Sequence, residues 1–117
     1  MESWNIIPII ITGRKSQILE NRCKELGIVN IHQGIRDKVS KLQEVLKFDD
    51  GNLGQVAYIG DDINDLACMK LVKMNGGLIG CPMDAVDSVI EIADFVSKKE
   101  GGNGAVREFI EWIVSKE

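Results

Sequence analysis

A chain of 117 residues is long enough for one domain and too short for two. Its 44% hydrophobic and 27% charged residues are ordinary for a globular protein, and a net charge of −4 leaves no basic footprint for nucleic acid. No apolar stretch approaches the ~18 residues of a spanning helix, and no cluster of Lys and Arg supports an electrostatic membrane anchor, so neither nucleic acid nor membrane is an expected partner.

The first residues, MESWNIIPIIITGRKSQ, contain an apolar run but neither a positive leader nor a small-residue cleavage site, so no secretory signal is expected. NIIPIIIT (5–12) reads as a short strand, with Pro8 arguing against a fully paired position. KSQILENRCKELG (15–27) places Leu19, Cys23 and Leu26 on one helical face and ends at Gly27. A small strand, VNIH, precedes DKVSKLQEVLKF (37–48), where Val39, Leu42, Val45 and Leu46 form a second helical stripe.

GQVAYIG (54–60) is the clearest buried strand, and the helix after it carries Leu66, Met69 and Val72. GGLIGCP (76–82) is a strand bounded by Gly and Pro. Val86, Val89, Ile90 and Ala93 then mark a helix, ADFVS (93–97) a last short strand, and Val106, Phe109, Ile110 and Ile113 a final amphipathic helix. Alternation of this kind predicts an α/β fold, a parallel sheet with helices on both faces. The three cysteines, Cys23, Cys68 and Cys81, show no CxxC spacing and are expected as reduced thiols of a cytoplasmic protein, with Cys23 and Cys68 as core residues.

Ligands of such sheets bind beyond the carboxyl ends of the strands. Three loops fall there: TGRKS after the first strand, GIRDK before the second long helix, and GDDIND after the central strand. Asp61, Asp62 and Asp65 crowd like charges into five positions. A helix start explains Asp62 as N-cap and Asp65 in the first turn, but leaves Asp61 unaccounted for. A Mg²⁺ ion, which takes one or two carboxylates plus waters and substrate phosphate, makes Asp61 a direct ligand and Asp65 the holder of a metal-bound water or a neighbouring cation. Thr12 offers a hydroxyl, Gly13 close backbone approach to an anion, and Lys38 a compact positive charge.

In order and spacing, IIITGRKSQILENRCKELGI, QGIRDK, VAYIGDDINDLACMK and GGNGAVRE resemble the haloacid dehalogenase superfamily. The similarity covers essentially the whole chain. It is greatest to the small cap-less phosphatases of 3-deoxy-D-manno-octulosonate (KDO) 8-phosphate and of the 9-phosphates of related nonulosonic, sialic-type acids. That domain also occurs fused to acylneuraminate cytidylyltransferases.

The resemblance implies a single cap-less domain over 1–117 with a three-layer Rossmann-like fold. It makes Thr12 the hydrogen-bonding group for the transferring phosphoryl, Lys38 the partner of nucleophile and phosphate, Asp61 the metal-binding acid and Asp65 its support. Gly13, Arg14 and Arg107 become substrate contacts, Arg107 within a tail that can approach a neighbour's active site in the family's oligomers. Lys98 and Lys99 stand near where family members often have Arg. A phosphorylated sugar acid is the implied substrate, Mg²⁺ the cofactor, and a homo-oligomer the implied assembly.

The family reaction also needs an Asp-x-Asp at the end of an earlier, central strand. Its first Asp attacks phosphorus and its second is the general acid and base. No Asp-x-Asp precedes ITGRKS here. The expectation is therefore a partial domain, inactive alone, in which either a partner segment fills the central strand's slot or the strands at 5–12 and 54–60 close on each other. The alternative is a non-catalytic module for assembly or ligand binding beside a sugar-nucleotide enzyme.

Overall fold

The structure, a computed structural model, describes residues 7, 9–13, 15–48, 51–101 and 104–115. Its elements follow the chain as β1 (Ile9–Ile11), α1 (Gln17–Glu25), β2 (Asn30–His32), α2 (Lys38–Phe48), β3 (Ala57–Ile59), α3 (Leu66–Met74), β4 (Leu78–Cys81), α4 (Asp87–Ile92), β5 (Phe95–Val96) and α5 (Ala105–Ser115). Strand–helix alternation and parallel pairing make this the expected α/β fold. The chain divides into two compact units, Met1–Gln43 and Glu44–Glu117.

In the first unit β1 and β2 pair in parallel, Ile10 opposite Ile31. The crossover helix α1 begins at Ser16, whose hydroxyl accepts from the Leu19 N–H at 3.2 Å and so satisfies one of the unpaired donors of a helix start. It stops at Gly27, whose φ of 74° is open to glycine at little cost. Cys23 is the fully buried residue of α1. Asp37 caps α2, accepting from the Ser40 N–H at 3.0 Å and the Ser40 hydroxyl at 2.8 Å.

The second unit is built on a three-stranded parallel sheet of order β3–β4–β5. The central strand β4 is buried from Ile79 through Cys81, as a parallel strand covered on both faces should be. A methyl at Gly80 would meet the Phe109 ring at 2.5 Å, so α5 lies directly on that face. Ile79 and Cys81 point the other way and are equally inaccessible, with Cys68, Met69 and Val72 of α3 in the same core. Phe95, Phe109 and Trp112 stack at centroid distances of 5.1 to 6.1 Å. All three cysteines are buried and outside any disulfide, and burial pushes the Cys81 thiol above its ordinary pKa.

The elements are shorter than their apolar runs. Residues 54–60 read as one strand, yet Leu53–Gln55 form a 3₁₀ turn closed by the Gln55 side chain accepting from the Asn52 N–H at 3.1 Å. Of the strand expected at 5–12, residues 9–11 are extended and paired, while 5, 6 and Pro8 lie outside the described residues. Among the described residues β1 has one strand neighbour, β2, and β3 has one, β4.

Candidate active site

The acids of GDDIND follow β3 without a gap. Gly60 still pairs with the sheet, its N–H donating to the Gly80 carbonyl at 3.1 Å, and Asp61 is the first residue beyond it. Asp62 caps the 3₁₀ turn Ile63–Asp65, its carboxylate accepting from the Ile63 N–H at 2.7 Å. Asp65 is buried, at 5% exposure, and accepts from donors on both of its oxygens. One of its oxygens accepts from the N–H groups of Asp61 at 3.1 Å and Asp62 at 3.2 Å; the other accepts from the Tyr58 hydroxyl at 2.8 Å.

This is a reciprocal capping box, in which the acid at the third position turns back to close the loop that precedes it. Burial, reinforced by the neighbouring carboxylate, pushes the Tyr58 phenol well above its ordinary pKa, so it stays protonated and donates. The arrangement depends on Gly60, where a methyl group would lie 2.6 Å from the Asp65 β-carbon. Gly60 is there for space, since it is absent from the glycines of positive φ.

Asp61 is held at both ends of its backbone. Its N–H is taken by Asp65, and its carbonyl accepts from the Val86 N–H at 3.0 Å, which ties the loop after β3 to the turn after β4. The loop after β5 joins the same edge: Met83 N–H donates to the Lys99 carbonyl at 2.9 Å and Gly101 N–H to the Asp84 carboxylate at 2.8 Å. A methyl at Gly101 would stand 3.8 Å from an Asp61 carboxylate oxygen. Among the described residues the Asp61 carboxylate accepts no hydrogen bond, and the residue is exposed. An anchored acid with an uncommitted head at a strand's carboxyl end is suited to a cation that keeps its waters. No group of three or more His, Cys, Asp or Glu gathers among the described residues, so they do not form an all-protein cage.

Thr12, Gly13 and Lys38 all belong to the first unit. Thr12 follows β1, its N–H donating to the His32 carbonyl and its carbonyl accepting from the Ile35 N–H, both at 2.9 Å. Ser16 N–H donates to the Gln33 side chain at 2.6 Å, so the loops after β1 and β2 are laced together. Gly13 is exposed beside the Ile35 carbonyl, and Lys38 is the half-buried first residue of α2. The structure thus brings Thr12, Gly13 and Lys38 to the carboxyl ends of β1 and β2, and Asp61 and Asp65 to that of β3. Arg14 lies outside the described residues. Arg107 is on the exposed first turn of α5, paired with Glu111 at 3.3 Å. Tyr58 was not foreseen as a site residue. Its signal was a lone polar-tipped ring inside the apolar run VAYIG, whose hydroxyl needs a partner once buried.

The haloacid dehalogenase-like hydrolase family model matches residues 12–110. The 3-deoxy-D-manno-octulosonate 8-phosphate phosphatase of Salmonella typhi is 39% identical over 110 residues, covering 94% of this chain and 56% of that protein. This chain therefore spans about half the length of the curated relatives it matches. The crystal structure of the Yersinia pestis phosphatase of the same name superimposes with a TM-score of 0.88 at 38% identity, over 97% of this chain and 59% of that one. A phosphatase of that name from Moraxella catarrhalis, solved with a magnesium ion, a phosphate ion and KDO, matches with a TM-score of 0.82 at 34% identity, over 99% of this chain and 71% of that one. With its strand-end acids, its Thr-Gly turn and these relatives in agreement, the chain belongs to the haloacid dehalogenase-like hydrolases.

Proposed function

We propose that this chain supplies the cation- and phosphate-binding part of a Mg²⁺-dependent phosphatase acting on KDO 8-phosphate or a related nonulosonate 9-phosphate. The observation that carries the reading is Asp61: fixed through both backbone groups, at a strand's carboxyl end, with a carboxylate free of protein partners among the described residues. Asp61 would hold Mg²⁺ directly, and Asp65 would serve it by fixing the loop. When bound, the ion supplies charge neutralisation for a phosphoryl group. Thr12 and the backbone after it would bind phosphoryl oxygens, Lys38 would offset their charge, and Gly13, Arg14 and Arg107 would contact substrate.

The attacking carboxylate of the family reaction is not found ahead of Thr12 in this sequence. Turnover is accordingly assigned to a protein in which an Asp-x-Asp segment accompanies these residues. Losing a covalent nucleophile costs orders of magnitude in rate. The second reading is a non-catalytic ligand-binding or assembly module of KDO or sialic-acid sugar-nucleotide synthesis.

Calorimetric titration with Mg²⁺ and with phosphate separates the two. Binding that Asp61→Asn abolishes, together with hydrolysis of p-nitrophenyl phosphate and KDO 8-phosphate once an Asp-x-Asp segment is added, is the expected result. A wild-type chain that binds neither ion would leave only the assembly role.

A further inference from the structure

The three hydrogen bonds on Asp65 form a connected path from the β3 strand to the candidate cation ligand. Tyr58 and Gly60 lie two positions apart, on the same side of β3. Gly60 leaves that side vacant for the Asp65 carboxylate, and Tyr58 donates to the carboxylate from below at 2.8 Å. The other carboxylate oxygen is shared between the N–H groups of Asp61 and Asp62. A carboxylate can rotate about its terminal bond, and the two N–H donors hold it by one oxygen only. The phenol holds it by the second oxygen as well.

We propose that Tyr58 is a positioning residue, which locks the Asp65 carboxylate and through it sets the direction of Asp61 toward a divalent cation. The inference rests on the proposed cation at Asp61. Tyr58 touches neither cation nor substrate; it acts through Asp65 and one backbone N–H. Partners that orient a metal's ligands typically govern affinity by about 10- to 100-fold, and a hydroxyl two bonds removed belongs at the low end.

The test uses the full chain and Mn²⁺ as a spectroscopic probe, with binding followed by electron paramagnetic resonance and amide exchange followed by NMR. Tyr58→Phe is expected to raise the Mn²⁺ Kd about tenfold, to speed exchange of the Asp61 and Asp62 amides, and to leave those of Ile79 to Cys81 as in the wild type. A hydroxyl with a purely structural role would instead lower the melting temperature and leave the Kd unchanged. If the wild type binds Mn²⁺ and Tyr58→Phe binds it equally well, the proposal is overturned and the cation reading stands. If the wild type binds no Mn²⁺, the cation reading fails and takes the proposal with it. Should Tyr58→Phe fail to fold, Asp65→Glu, which keeps the charge and shifts the carboxylate by one methylene, is titrated in its place: an unchanged Kd overturns the brace, a weakened one supports it.

Discussion

The two units are built from the same parts, parallel strands joined by helices, yet they bury their residues very differently. In Glu44–Glu117 nine apolar residues from Cys68 to Phe109 are essentially sealed from solvent. In Met1–Gln43 only Cys23 and Leu42 reach that state among the described residues, and every residue of β1 and β2 is half-buried. The difference lies in strand count. A three-stranded sheet has a central strand that can be covered on both faces and paired on both edges, as β4 is, whereas a two-stranded parallel sheet has only edges and is marginal by itself. Apolar content does not compensate: the isoleucine run of β1 is as hydrophobic as LIGC of β4, and among the described residues it has one strand neighbour where β4 has two.

The strongest way to break this contrast is to cut a residue from each unit. Met69→Ala, in the sealed core, should cost about 2–5 kcal/mol in urea unfolding. Ile10→Ala, on half-buried β1, should cost about 1 kcal/mol. Equal losses would show that β1 is as well supported as α3. A smaller effect sharpens the picture at the entry to α1: Ser16→Ala removes the cap on Leu19 and should cost about 1 kcal/mol, read as faster amide exchange through α1 than through α3.

The smallest effect is a pH dependence. The hydrogen bonds from the Ser40 N–H and hydroxyl hold the Asp37 carboxyl below the ordinary carboxylate value. A depressed carboxyl contributes stability above its unfolded value and loses it as pH falls through the folded one, so the cap on α2 should persist at neutral pH and fail only below the ordinary carboxylate range. An NMR titration of Asp37 that shows a midpoint at or above the ordinary value would remove that cap from the account.

Much of this was legible beforehand because the chain's periodicities are strong. Leu66, Met69 and Val72 gave α3, Val86 and Val89 gave α4, and the Gly27 stop gave the end of α1. Strand ends were less legible, since a side chain such as Gln55 can turn a local segment into a 3₁₀ turn that no periodicity reveals. At the site, spacing assigned Asp62 and Asp65 to a helix start and left Asp61 over, and the structure has Asp62 as cap and Asp65 in the turn it begins, but spacing could not show their partners. Asp62 and Asp65 do what acids at a helix start do, and Asp61 is the one left with an open head. That division follows from which N–H groups fall within reach of which oxygen, a matter of tenths of an ångström, and Tyr58 enters it from seven residues upstream for the same reason.

Gly60 carries a consequence for how such signatures are recognised. With no room for even a methyl group against Asp65, the opening letter of GDDIND is a steric licence for the acids that follow it. A lookalike that retained every carboxylate but carried alanine there would have the right charges on the wrong scaffold, and a search that scores acidic residues alone would mistake it for the real thing.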